Sequence, residues 1–293
     1  LFSEIAEGED AVSAAEDCVA VYNKSLLQAA MIGKLTAEWR ATQRQQHSGE
    51  AILAAIRQER ARAQPQATKR GRKHSLPDAR PNPTTDLPEG WVWASLDDLS
   101  TEPSRNGLSV KEAALETEVR ALRLDALSGD QVDWSRSRHL PRTLEQVKQY
   151  RLAEGDLLVS RANGSPRLVG KAALCATPPP DMIFPDTAIR YRIGGGATVA
   201  SWVLHAWNSP LCRSQIERAA KTTAGILKIS QEDIRSIMLP VPPSEEMEEI
   251  VRLLVSLIAE AQPAAAYISD LVGAAGSLRQ SILAAAFRGD LVA

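Results

Sequence analysis

The densest run of residues able to do chemistry is 155–171, GDLLVSRANGSPRLVGK. An apolar, strand-like stretch ends there in Ser160, Arg161, Ala162, Asn163, Gly164 and Ser165, which places a guanidinium, a carboxamide and hydroxyls in one tight turn. Arginine and asparagine are the side chains that make bidentate contacts to guanine and adenine edges. Arg167 and Lys171 follow closely. Cations of that kind bind phosphates and fix register without reading sequence. The polar turn Ser104, Arg105, Asn106, Gly107 carries the same residue types. An ordinary polar loop, with Asn163 in the left-handed turn position, uses the same residues, so both readings stay open here.

Signatures of catalysis are missing from the sequence. Four histidines (His47, His74, His139, His205) lack metal-ligand spacing, and the cysteines Cys18, Cys175 and Cys212 form no CxxC pair. The expectation is three reduced thiols, with no metal site and no cofactor on this chain. GxSxG, Walker A and HExxH are absent. Gly194–Gly196 lacks the helix-opening fingerprint of a nucleotide site and reads as a turn. Asn208-Ser209-Pro210-Leu211 lacks the second proline and the aromatic of an amino-methyltransferase motif, and Pro185-Asp186 lacks the acidic-x-Lys partner of a nuclease centre.

Those turns need a scaffold, and the composition allows one. Of the 293 residues, 44% are hydrophobic and 24% charged, a globular balance. The net charge of −2 is unevenly spread. Residues 1–37 carry 2 basic and 6 acidic side chains, 38–87 carry 10 and 5, 88–243 carry 19 and 18, and 244–293 carry 3 and 7. A neutral to basic middle between acidic ends is compatible with a nucleic-acid partner. Between 88 and 243, short strand-like runs at 91–99, 119–124, 156–159, 168–174 and 188–193 alternate with turn residues, and helices are predicted at 143–150 and 199–221. Within KTTAGILKISQEDIRSIMLPVPP (221–243), Ser230 and Asp233 read as a capping box. An extended segment then ends in a proline pair ahead of Ser244, Glu245 and Glu246.

Both ends have a helical period. Ile250, Leu254, Leu257, Ala261, Ala264, Ile268, Leu271, Ala275, Leu278, Ile282 and Ala285 alternate steps of four and three, a heptad seam with Pro263 expected to kink it. Val12, Ala15, Val19, Tyr22, Leu26 and Ala29 repeat that spacing near the start, with Gly8 as an interruption. Two such seams satisfy each other as an antiparallel pair, although each is also compatible with a plain core helix. SLLQAAMIGKLTA (25–37) and SILAAAFRGDLVA (281–293) agree at seven of thirteen positions, each with a Gly-x-Leu exit. A short amphipathic helix at 49–62 precedes a Pro-rich linker, 64–87, whose cluster Lys69, Arg70, Arg72, Lys73 suits either solvent or DNA phosphates. No run of about eighteen apolar residues is seen, so no membrane span is expected, and no signal peptide is visible.

LPEGWVW (87–93), EGDLLVSRANGS (154–165), LVGKAAL (168–174), TTAGILKIS (222–230), LPVPPSEEMEEIV (239–251) and the final SILAAAFRGDLVA, in that order, resemble the specificity subunits of type I restriction–modification systems. LLQAAMIGKLTAEWR near the start is similar to the family's central helix, and Met247 stands where the family often has Gln. The resemblance implies an α+β target-recognition domain flanked by long helices that pair antiparallel. The expected parts are a central helical region at 1–40, a helix and basic linker at 41–86, the recognition domain at 87–243 and a distal long helix at 244–293. It implies a noncatalytic, cytoplasmic, bacterial or archaeal protein that reads one half of a bipartite double-stranded DNA target. The helices would set the spacing and dock methyltransferase subunits, with a separate restriction subunit. S-adenosylmethionine, ATP and magnesium would reside on those partners. Expected DNA contacts are Arg161, Asn163 and Ser165 for bases, with Ser104, Arg105, Asn106, Ser160, Arg167 and Lys171 as further loop or phosphate contacts. One recognition domain where the family has two leaves open a longer protein or a half-subunit that dimerises. A protein-interaction scaffold without base readout, or an unrecognised nuclease, are the other readings.

Overall fold

The computed structural model describes residues 2–43, 47–63, 85–223 and 226–288. The linker cluster Lys69 to Lys73 and the exit of the second repeat lie outside them. In chain order the helices are α1 (Phe2–Met31), α2 (Ala37–Thr42), α3 (Gly49–Ala63), α4 (Gly196–Asn208), α5 (Pro210–Ala219), α6 (Gln231–Arg235) and α7 (Ser244–Arg288). The strands are β1 (Val92–Ala94), β2 (Arg105–Asn106), β3 (Val119–Leu122), β4 (Ser137–Leu140), β5 (Asp156–Ser160), β6 (Ala162–Asn163), β7 (Ala172–Leu174), β8 (Met182–Ile183), β9 (Ala188–Arg192), β10 (Lys221–Thr223), β11 (Ile226–Lys228) and β12 (Leu239–Val241). They form two compact units, Leu1–Leu27 with Arg252–Ala293, and Gln28–Val251.

The first unit is an antiparallel helix pair. Arg279 reaches Glu9 at 3.1 Å, while Val19 and Tyr22 share a groove with Leu257, Ala261 and Ala264. Low positions on α1 therefore face high positions on α7. The predicted seams hold in part. Val12, Ala15 and Val19 are half-buried, but Asn23 turns inward and Tyr22 is exposed. On α7, Leu257, Ala261, Ile268, Ala275, Ile282 and Ala285 are half-buried, whereas Ala264, Leu271 and Leu278 are exposed. A straight helix of 3.6 residues per turn drifts about 20° per heptad from a 3.5-residue seam, which rotates some seam positions outward. One local expectation is corrected: helix α1 runs unbroken through Gly8, since one glycine costs only about 1 kcal/mol in a helix interior. Helix α7 is continuous with Pro263 inside it. At 45 residues α7 is about 65–70 Å long. By length and composition alone it is apolar enough to cross a membrane, although no uninterrupted run of about eighteen apolar residues occurs in it. Its alanine content raises hydropathy without bulky side chains.

In the second unit, β5 is the central strand of a four-stranded sheet ordered β2-β9-β5-β7. Its five residues DLLVS are all buried, as expected for a strand covered on both faces. A three-stranded sheet β4-β3-β8 and the ribbon β1-β12 complete the body, with a small sheet β10-β11-β6. Helix α4 packs on β5 and β7 and buries Trp202 and Trp207 fully. Each indole N–H finds a carbonyl, Trp202 on Pro240 at 2.9 Å and Trp207 on Gly170 at 2.7 Å. The helix expected over 199–221 is two helices. Ser209 is extended, caps α5 by accepting from the Cys212 N–H, and is followed by Pro210 at the first helical position. The helix expected at 143–150 is a series of turns ending in a 3-10 turn, Lys148–Tyr150. The Thr143–Gln146 turn is closed by side chains in both directions, Gln146 accepting the Thr143 N–H at 3.1 Å and Thr143 accepting the Gln146 N–H at 3.4 Å.

Helix α1 ends as its sequence predicts. Gly33 is left-handed (φ +69°), the Lys34 N–H donates to the Ala29 carbonyl at 2.9 Å, and the Gly33 N–H donates to the Ala30 carbonyl at 3.1 Å. This is a Schellman closure. A Cβ at Gly33 would stand 2.5 Å from both the Arg40 guanidinium and the Pro88 ring. Gly33→Ala is expected to destabilise the chain by at least about 1–2 kcal/mol from the left-handed backbone alone. A urea midpoint equal to that of the parent would refute the constraint.

Candidate nucleic-acid interface

Three segments meet at one end of the central sheet. Asn106 pairs with Ile189, which pairs in turn with Val159, so β2 lies about 10 Å from the end of β5. Beyond that end the chain continues through Arg161 into β6. Asn163 pairs there with Leu227 and Ala162 with Lys228 of β11. The Ile229 N–H donates to the Arg161 carbonyl at 2.9 Å, and Gln231 donates to the Asn106 side chain at 3.0 Å. Residues 104–106, 160–163 and 227–231 are thereby tied together, although they are far apart in sequence.

Arg161 is the most available side chain in this group. Its backbone is fixed on both sides, the N–H donating to Thr187 at 2.7 Å and the carbonyl accepting from Ile229. The half-buried guanidinium has no hydrogen-bond or ion-pair partner among the described residues. Five donors on a rigidly mounted strand end are thus free for a ligand.

The other predicted residues divide by what they already hold. Asn163 uses its side-chain oxygen to accept the Ser165 N–H at 3.0 Å, and the Ser165 hydroxyl accepts from the Arg167 N–H at 3.3 Å. Asn163 is therefore a strand residue in an Asx turn, not a left-handed one. Among the described residues only Thr177 outside glycine has positive φ. Asn163 keeps its amide N–H groups for a ligand, and Arg167 is exposed without a side-chain partner among the described residues. Arg105 donates to Gln149 at 3.1 Å, and Ser104 is half-buried at the start of β2. Lys171 faces the half-exposed Asp130 at 3.5 Å, a carboxylate that also accepts from Asn208 at 3.2 Å. Ser160 is buried, 2% exposed.

Two cations went unread in the sequence. Lys221 and Lys228 stand directly opposite each other across β10 and β11, both exposed. Like charges in that register cost stability unless something neutralises them. Lys221 has only a 3.9 Å approach to Asp233, and Lys228 has no carboxylate partner among the described residues. The signal was available, because KTTAGILK has strand formers on both sides of an Ala-Gly turn.

The neighbouring ionic groups are structural. Arg190 and Arg192 share Glu102, at 2.8 and 2.5 Å, and Arg192 also binds the fully buried Asp156 at 2.9 Å. Cys175 and Cys212 are buried, and burial pushes the Cys212 thiol up to about 12, so neither is a nucleophile near neutral pH, while Cys18 is exposed. Among the described residues no group of three or more His, Cys, Asp or Glu side chains is placed to hold a metal ion.

No family model matches the chain. It is 34% identical over 190 residues to the type I restriction enzyme EcoKI specificity subunit of Escherichia coli (strain K12), covering 64% of this chain and 41% of that one. It is 30% identical over 204 residues to the StySPI specificity subunit of Salmonella potsdam, covering 70% and 44%. A solved HsdS subunit from Thermoanaerobacter tengcongensis overlays with a TM-score of 0.43 at 17% identity, over 96% of this chain and 57% of that one. The chain spans less than half the length of the two curated relatives. Over the residues that these alignments match, it belongs to the specificity subunits of type I restriction enzymes.

Proposed function

We propose that this chain is a noncatalytic DNA reader that recognises one half of a bipartite duplex target for a type I restriction–modification complex in the bacterial or archaeal cytoplasm. The observation that carries the proposal is the unengaged guanidinium of Arg161, mounted on a fixed strand end beside the exposed Lys221–Lys228 pair. Phosphates on that ribbon would relieve the lysine repulsion and set the register in which Arg161 meets a base edge. Arg167 and the free amide hydrogens of Asn163 extend the contact. Catalysis, with its S-adenosylmethionine, ATP and magnesium, belongs to methyltransferase and restriction subunits. The helix pair suits docking and spacing. Tyr267 and Phe287 on α7 are 66% and 90% exposed, an apolar display that a partner helix, or a second copy of this chain, would cover.

The test is the salt dependence of binding to duplex DNA, with and without methyltransferase subunits. Each of Lys221→Ala and Lys228→Ala is expected to weaken all sequences alike and to reduce the slope of log K against log salt by about 1. Unaltered slopes would remove the ribbon from the interface. No DNA binding in either condition would leave the scaffold reading in possession.

A further inference from the structure

We propose that a recess beside the Arg161 turn receives a single unstacked nucleobase carrying an exocyclic amino group, an inference that rests on the DNA-reading role above. The recess has a volume of about 300 Å³, at the lower end of small-ligand pockets. Leu124, Leu127 and Leu168 give it apolar walls suited to the faces of a flat ring. Ser160 is 2% exposed and lines the recess, and its hydroxyl has no hydrogen-bond partner among the described residues. A buried hydroxyl left unsatisfied costs stability and calls for an explanation. Its backbone is held on both sides, the N–H donating to the Lys171 carbonyl at 2.8 Å and the carbonyl accepting from the Gly170 N–H at 2.7 Å, so Ser160 is fixed at the wall of the recess.

The remaining polar lining selects the ligand. Asp125, Ser128 and Asn163 border the recess, and no lining side chain among the described residues is cationic. Asp125 is paired with Arg136 at 3.0 Å and keeps acceptor positions free. With Asp125 already answered by Arg136 and no cation among the described lining residues, nothing in the recess would bind phosphate or another acidic group. The recess favours a neutral ring with N–H donors, as in adenine or cytosine. The Ser160 hydroxyl and the Asn163 amide hydrogens then donate to ring nitrogens of adenine, or to N3 and the O2 carbonyl of cytosine. Asn163 belongs both to this recess and to β6, so a base leaving the duplex next to phosphates held by the Lys221–Lys228 ribbon would need to travel only a short way.

Unstacking costs least at an unpaired nucleotide, so the test uses otherwise identical duplexes with one unpaired adenine, cytosine, thymine or abasic site, bound by the full chain and read by fluorescence anisotropy. Adenine and cytosine are expected to bind about tenfold or more tighter than the abasic site, with thymine weaker than either. Ser160→Ala and Leu168→Trp are each expected to abolish that difference. Ser160→Ala should fold with equal or greater thermal stability, since it removes an unpartnered group. Equal binding of adenine and abasic duplexes, or a difference that survives both variants, overturns the proposal. A parallel titration of the methyl-labelled chain with adenosine and thymidine isolates the recess. Shifts at Leu124, Leu127 and Leu168 with adenosine support it, and their absence overturns it even if duplexes bind. Loss of all duplex binding, with the adenosine shifts intact, defeats the DNA-reading role and leaves the base site standing.

Discussion

Alanine at position 246 is expected to lower the unfolding free energy of the chain by about 3–5 kcal/mol, the usual effect of removing one partner from a buried ion pair. Glu246 lies in the first turn of α7 and is fully buried. One carboxylate oxygen accepts from Thr36 at 2.7 Å and from the Arg40 guanidinium at 2.9 and 2.7 Å, and the other accepts from the Trp91 indole at 2.8 Å. Arg40 also donates to the Gly33 carbonyl at 2.5 Å. One side chain thus ties the turn after α1, the residue preceding β1 and the start of α7. Without it, a guanidinium, a hydroxyl and an indole lose their acceptor. The neighbouring Glu245 is the control. It is about half exposed and pairs with His47 at 3.0 Å, so Glu245→Ala is expected to cost about 1 kcal/mol or less. Urea denaturation of the two variants reads the contrast. Equal midpoints would mean that Glu246 is not a structural hub.

Features carried by neighbouring residues were legible in the sequence. The heptad spacing on α1 and α7 and the glycine exit of α1 depend on residues within one or two turns of each other. The Ser230–Asp233 capping box is equally local, and it forms as expected. The break at Ser209-Pro210 was written there too, as a cap residue followed by proline, but it was masked by apolar positions that continue on both sides of it. What the sequence hid was long-range. Glu246 reads as an acid favoured by the helix dipole, and nothing local indicates that its partners lie more than 150 positions away. The order β2-β9-β5-β7 places Asn106 near Arg161 through two strand pairings with no local signature. The same holds for Lys171, whose partner Asp130 comes from a distant turn. In the candidate interface, residue types were readable, whereas the distinction between engaged and free side chains was not.

That distinction sets the expectation for Arg161. Arg161→Ala should relax the preferred sequence at one or two base pairs of the half-site, by about 1–3 kcal/mol each, or about 5–150-fold in affinity. The lost interaction is a planar fork of donors on a fixed backbone, so Arg161→Lys should not restore the preference, because an ammonium cannot make the same bidentate contact. Selection from a random duplex library with partner methyltransferase subunits present reads the result. The folded state should be nearly indifferent to the change, within about 0.5 kcal/mol, since the guanidinium engages no described side chain. Arg167→Ala provides the contrast, with uniform weakening, a lower salt slope and an unaltered consensus. If Arg161→Ala returned the parental consensus, the residue would be a phosphate contact or a bystander, and base readout would have to pass to Asn163 and Asn106. If instead it lost stability together with affinity, its guanidinium would be serving the fold.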